Sequence, residues 1–324
     1  MEPRAPRHEP LAYVMRAGMV ESIHYGSAVV VDADGAIRHT VGDPDAIMYP
    51  RSAVKPIQAS AMVGCGLTLP ADLLALAASS HSGEQCHVDG TLRILATESL
   101  SEDDLRNPLG YPLDAGVRDK WLAAGRPPSR LAQNCSGKHA AMLVTARRNG
   151  WSLDDYRDPE HPVQREIASL LAELSGEKIA KVAVDGCGAP LFAISLTGLA
   201  RAIGAVASAV DGLPQAAVAD AIRTHPVQLG GSTRPVTELI KAVPGLIAKD
   251  GAEGVAVAAL PDDTAVAIKI ADGTSRARDV VTAAALALAG VDPTALAPAL
   301  DDAGALNGDD VSDGLRLASS LIRR

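Results

Sequence analysis

Two stretches with the alternation of β-hairpins lie near opposite ends of this chain, and most of what separates them reads as helix or irregular loop. Gly26–Asp32 (GSAVVVD) and Ala36–Val41 flank an Asp34-Gly35 turn, the composition that favours a tight hairpin. Gly254–Leu260 and Ala265–Ile270 flank Pro261-Asp262-Asp263 in the same way. Strands at both ends with helices between them predict one mixed or antiparallel sheet, closed by the two ends of the chain and flanked by helices. The fold class expected is α/β in the broad sense, α+β in organisation.

Helical patterning runs over Ala71–Ala78, Val88–Glu98, Lys138–Arg148, Val163–Leu174, Leu191–Ala209, Gln215–Thr224 and about Arg276–Ala289. A short strand is expected at Ile179–Val184. Residues 101–132 are rich in Pro, Gly and charge and read as a partly irregular excursion. Residues 1–10 are polar, carry prolines and are expected to form a loose tail. No repeat, linker or break in composition divides the chain, so residues 1–324 are expected to form a single domain.

Composition narrows the function. The chain carries 30 Lys and Arg against 39 Asp and Glu, a net charge of −9, which repels phosphate backbones. One Phe, two Trp and five Tyr offer few stacking platforms for nucleic-acid bases. A small molecule is the partner expected, with neither nucleic acid nor membrane. No signal-peptide or membrane-spanning run is visible, and a cytoplasmic location follows as an expectation. Four cysteines in so long a chain read as core thiols, metal ligands or reactive groups, not a disulfide framework.

Arg51-Ser52-Ala53-Val54-Lys55-Pro56 places Ser52 and Lys55 on one side of a single helical turn. The proline disfavours α geometry at Lys55, which predicts a tight first turn and then the helix. A serine hydroxyl needs a base beside it to become a nucleophile, and an amine serves when burial or cations lower its pKa. The bland alternative is a helix start with a surface lysine. A second S-x-x-K, Ser175-Gly176-Glu177-Lys178, has Gly inside it, leads into a strand and reads as a turn. Ala78-Ser79-Ser80-His81-Ser82-Gly83-Glu84 gathers hydroxyls, an imidazole and a carboxylate, either as a reactive loop or as a helix-capping loop. Lys269 shares a strand face with Ala265 and Ala267, which suits a shielded lysine or an ordinary solvent-facing one.

Asn134-Cys135-Ser136-Gly137-Lys138-His139 opens a helix, and Cys187 sits in Asp185-Gly186-Cys187-Gly188 at the end of a strand. Cys135, His139 and Cys187 form an acceptable zinc set by ligand type. Buried thiols, or thiolates made reactive by Lys138, are the alternatives.

Together these motifs resemble the bacterial asparaginase II family with paired serine–lysine tandems, whose fold is similar to the serine β-lactamases and penicillin-binding proteins. The resemblance runs from about Gly26 to Gly273. It rests on Arg51–Pro56, Ala78–Glu84, Asn134–His139, Asp185–Gly188 and Ile268–Gly273 in order, with a weaker match at His225-Pro226, Gly231 and Arg234. It implies hydrolysis of L-asparagine to L-aspartate and ammonia, with Ser52 and Lys55 as one catalytic tandem and Ser80 and Lys269 as the other. It also implies one zinc on Cys135, Lys138 and Cys187, and substrate-binding positions at Arg51, His81, His139 and Asp185. A homodimer is expected. The chain departs from the family at Gly83, where a polar residue is common. A glutaminase or β-lactam hydrolase on the same fold, or a non-catalytic zinc or amino-acid sensor, are the competing readings.

Overall fold

The structure is a computed structural model and describes residues 5–300 and 313–321. Its strands are β1 Glu9–Arg16, β2 Met19–Val31, β3 Ile37–Val41, β4 Ile47–Met48, β5 Lys181–Val184, β6 Pro190–Ser195, β7 Ile247–Asp250, β8 Val255–Ala259, β9 Ala265–Ile270 and β10 Asp313–Leu317. Seven of them form one sheet in the order β10-β1-β2-β9-β8-β7, with β3 also on β2. Every pairing in it is antiparallel. The two predicted hairpins are β2–β3 and β8–β9, and they meet through β2 and β9, where Ala28 lies opposite Ile268. The ends of the chain therefore close the sheet as expected.

All five residues of β8 and five of the six in β9 are buried, so the central strands are covered on both faces. Their small side chains (Val-Ala-Val-Ala-Ala in β8) let the helices Leu196–Ala207 and Arg278–Leu288 pack against the sheet. The other helices, Lys55–Gly64, Ala71–Ala77, Gln85–Ala96, Ser136–Arg148, Pro162–Ser175, Pro214–Thr224 and Pro235–Ala242 among them, fall largely between the two hairpins. Among the described residues no helix is long and apolar enough to cross a membrane.

Three local expectations are corrected. The loose tail ends before Glu9, because Glu9–Arg16 pairs with β2. The turn joining them puts Ala17 at φ 49° and Gly18 at φ 77°, and an alanine in left-handed backbone gives no sequence signal for a turn. Leu191–Ala209 is not one helix: Pro190–Ser195 is strand, and the helix begins at Leu196. Ser195 ends the strand and caps the helix, its Oγ accepting from the Gly198 N–H at 2.8 Å. The strand is buried throughout and the helix everywhere but Arg201 and Ala205, so periodicity could not separate them. The expected antiparallel sheet is also joined by a second, three-stranded one, β4-β6-β5. The Ser175–Lys178 motif is a turn as predicted, with the helix ending at Ser175 and Gly176 left-handed.

Candidate active site

Arg51–Val54 forms one tight 3₁₀ turn and Lys55–Gly64 continues it as α-helix, the geometry the proline predicts. Lys55 is 1% exposed. Its Nζ donates to the Ser79 carbonyl, to Ser80 Oγ at 3.0 Å and to Cys135 Sγ at 3.2 Å, three acceptors for the three N–H bonds of a lysine ammonium. Lys55 thus bonds the serine of the second motif and not the one three residues before it. Among the described residues nothing hydrogen-bonds the Ser52 hydroxyl, and Ser52 is only half-buried.

The Ser80 loop is clamped in an extended path. Ser80 N–H donates to the Leu229 carbonyl, Ser82 N–H to Gly230 and His81 N–H to Asn134. Gly83 takes φ 85°, and a Cβ there would overlap Pro112, which accounts for glycine at this position. His81 is fully buried. Its Nδ1 accepts from the Gly83 N–H at 3.1 Å, so Nε2–H donates to Ser136 Oγ at 2.8 Å. With the ring stacked on His87, both His81 nitrogens are used inside the fold, and the loop, not a substrate, is what they hold.

Cys135, Lys138 and Cys187 converge from the start of the Ser136–Arg148 helix and the turn after β5. Lys138 Nζ donates to Cys187 Sγ at 3.2 Å. A hydrogen bond from Cys135 holds the Cys187 thiol well below its ordinary value, helped by the Lys138 charge against burial. The same bond and burial push Cys135 up to about 12. Of the two thiols, Cys187 is therefore the one more readily ionised. Cys187 Sγ also lies 3.6 Å from Asp185 Oδ2, and Asp185 Oδ1 accepts from Arg51 Nε at 2.8 Å. Burial raises the Asp185 carboxyl, and the charges of Lys138 and Arg51 overcome it and hold it below the usual range. Among the described residues no cluster of three His, Cys, Asp or Glu side chains is arranged for a metal; the set here is two sulfurs and an amine. The two sulfurs suit zinc; Lys138, which donates to Cys187 here, would join them only after giving up its proton.

His139 lies outside that set. It is fully buried, and its Nδ1 is 2.8 Å from the Tyr156 hydroxyl, which already accepts from the Arg106 N–H at 3.0 Å. The phenolic hydrogen therefore points to Nδ1 and the imidazole proton sits on Nε2, a buried atom with no hydrogen-bond partner.

Lys269 is not brought to Ser80. Its Nζ donates to the carbonyls of Glu253 at 2.7 Å and Ile270 at 2.6 Å, fastening the turn between β7 and β8. A further buried lysine was missed: Lys249, 1% exposed, on the wholly buried β7, the strand that packs against the Arg51–Val54 turn. Its Nζ donates to Asp250 Oδ1 at 2.8 Å. Burial lowers its pKa to about 8, with the Lys55 charge adding to the shift and Asp250 opposing it. Asp250 is itself held by Arg234 and by Arg278, the latter at 3.6 Å. Gly251 follows, where a Cβ would press on Pro50 O and Ala53 N at 3.1 Å each, so β7 ends directly against the Ser52 turn. A Lys-Asp-Gly sequence interrupting an apolar strand was the available signal.

A hydroxyl held by one buried amine, with a second buried amine of lowered pKa on the strand packed against the Ser52 turn, is equipment that suits a hydrolase. The chain matches L-asparaginase II over residues 12–310 and belongs to that family. Comparison with curated proteins finds no match. Among solved structures, a β-lactamase from Mycobacterium bovis is similar at 17% identity over 82% of this chain and 95% of that one, with a TM-score of 0.47. A structure described as a β-lactamase, from Bacteroides dorei, is similar at 15% identity over 76% of this chain and 84% of that one, TM-score 0.41. The native form of Mglu is similar at 13% identity over 88% of this chain and 66% of that one, TM-score 0.44. The family assignment rests on the family match alone.

Proposed function

We propose that this hydrolase is an L-asparaginase that cleaves the side-chain amide of L-asparagine to L-aspartate and ammonia through a serine nucleophile activated by lysine. The observation that carries the reading is the buried amine pair: Lys55 on Ser80 Oγ at 3.0 Å and Lys249, lowered to about 8, behind the Ser52 turn, in a chain of the L-asparaginase II family. Ser52, half-buried and with no hydrogen bond to its hydroxyl among the described residues, is the better-presented nucleophile. Ser80, fixed by Lys55, is placed to pass a proton. Lys249 is the amine most readily neutral near pH 7, and it takes the hydroxyl proton that is later returned to the leaving ammonia. Arg51 and Asp185, already paired at 2.8 Å, set a polar pair beside Ser52.

Zinc on Cys135, Lys138 and Cys187 would supply a Lewis acid that anchors or polarises the substrate. In this chain's own chemistry, Lys138 favours the ionised form of Cys187 and Asp185 ties the cluster to Arg51.

Ammonia release from a panel of L-asparagine, L-glutamine and a β-lactam tests the assignment. A pocket set for asparagine must fold up the extra methylene of glutamine, a mismatch of ~1–3 kcal/mol or about 10- to 200-fold in kcat/KM. Equal rates on the two amino acids, or turnover of the β-lactam alone, overturn the substrate assignment.

A further inference from the structure

Lys249 belongs to a cluster of charges whose sum depends on its own proton. The two oxygens of Asp250, the next residue on β7, are divided between neighbours. Oδ1 accepts from Lys249 Nζ at 2.8 Å. Oδ2 accepts from Arg234 Nη2 and has Arg278 Nη1 at 3.6 Å. Arg278 is held elsewhere, because its Nε and Nη2 donate to the two oxygens of Asp279 at 2.9 and 3.1 Å. Arg234 has no such second partner; among the described residues Asp250 is the carboxylate it pairs with. Three cations thus meet two carboxylates. Two of the three are guanidiniums, which do not give up a proton in proteins, so only Lys249 can bring the cluster to neutrality. Lys249 and Asp250 are buried and the two arginines largely so, which makes an unbalanced charge costly.

Among the described residues, the elements packed on β7 supply no further anion to Lys249. β8 carries no charged side chain. The Arg51–Val54 turn brings Arg51, a cation flanked by Asp185 and Glu253. On the helix Pro235–Ala242, Glu238 pairs with Lys241 at 2.9 Å, half-exposed. On Pro214–Thr224, Arg223 pairs with Asp220 at 3.1 Å. Burial is the main cause that lowers the proton affinity of Lys249; Asp250 opposes it, and the charges of Lys55 and Arg234 add to it. Arg234 is also firmly placed. It takes extended backbone at the entry of the helix Pro235–Ala242, with Pro235 fixing the first turn, and that helix packs on β7.

We propose that Arg234 is a positioning residue for the hydrolytic base: by occupying Asp250 Oδ2 it limits how firmly that carboxylate holds the Lys249 ammonium, and so leaves the amine free to accept the serine proton. The proposal rests on the reading of Lys249 as the base, and its first test does not use turnover. The Cε resonance of Lys249 is followed through a pH titration of the full-length protein labelled with 13C-lysine, and is assigned by its loss in Lys249→Met. Arg234→Gln keeps a donor for Oδ2 and removes the charge. Lys249 should then titrate about one pH unit higher than in the wild type, with Arg234→Lys close to the wild type. An unmoved or lower titration in Arg234→Gln overturns the proposal. Should that variant fail to fold, Asp279→Asn frees Arg278 for Asp250 and should move the Lys249 titration downward; an unmoved or higher value there overturns the proposal as well. In turnover, kcat/KM for L-asparagine in Arg234→Gln, relative to the wild type, should rise from about one tenth near pH 7 toward parity at pH 10. A merely structural defect would lower that ratio equally at every pH. A flat ratio beside a displaced Lys249 titration would refute Lys249 as the base and leave the hold of Arg234 on its proton standing.

Discussion

Replacing Lys249 with methionine should separate activity from stability in an unusual direction. Lys249 is fully buried, and its pKa falls from an ordinary 10.5 to about 8. Below pH 8 the folded protein carries this charge at a cost that the unfolded chain avoids. The gap between the two values corresponds to roughly 3 kcal/mol. Methionine of similar length removes that cost but strands Asp250 Oδ1, which loses a charged partner worth about 1.5–3 kcal/mol while Arg234 and Arg278 remain. The two effects nearly cancel, so Lys249→Met should match the wild type in urea at pH 7 to within about 2 kcal/mol. The pH dependence gives the sign. Between the folded value near 8 and the unfolded value near 10.5, the unfolded chain holds more protons, so wild-type stability rises with pH across that window. The variant lacks this rise. Ammonia release should meanwhile drop by at least ~10³-fold if this amine is the base. Near-normal turnover in Lys249→Met would remove it from the mechanism, and a variant whose stability still climbs from pH 8 to 10 would refute the electrostatic account.

Other measurements test neighbouring parts. Ser52→Ala and Ser80→Ala should each lower kcat by ~10³-fold or more, because groups acting as a unit fail together; a variant with normal turnover excludes its serine. Lys269→Met should retain kcat within about tenfold, since its amine holds the carbonyls of Glu253 and Ile270 and touches neither serine; a loss as deep as that of Lys249→Met would restore Lys269 to the chemistry. Purified protein should contain about one zinc per chain by elemental analysis, as for a single site, and the Cys135→Ala/Cys187→Ala double variant should contain almost none. Full occupancy in the double variant would place the metal elsewhere.

The sheet was legible where its signals were local. Asp34-Gly35 and Pro261-Asp262-Asp263 announce their hairpins because Gly, Pro and Asp suit turn backbone at little cost. β1 stayed hidden because its turn uses Ala17, and β6 because a fully buried strand and the helix after it share one apolar pattern. In the site, the spacing of Ser52 and Lys55 predicted the tight turn correctly, yet not the partner of Lys55, which comes from a loop brought in by the fold. Lys269 drew attention through its alternating strand, whereas Lys249 sits in a strand buried on every side, where periodicity says nothing about which element it faces. Lys138 beside the two cysteines came from family resemblance alone; ligand types and spacing favoured His139, whose Nδ1 the structure gives to Tyr156.

The pairing of β2 with β9 also bears on how the protein is made. Gly26 sits opposite Ile270, so the middle of the sheet cannot form until nearly all of the described chain has left the ribosome. Contacts so distant in sequence slow folding, because a long loop must close before they return any stability. The Ser52 turn is synthesised early, yet Gly251 and Lys249, against which it is built, arrive late. A nascent chain therefore holds both serines long before it holds the β7 amine. Its exposed β2, rich in valine, is an unpaired edge for all of that interval, and a chaperone that shields this strand during synthesis should raise the yield of active enzyme more than one acting after release.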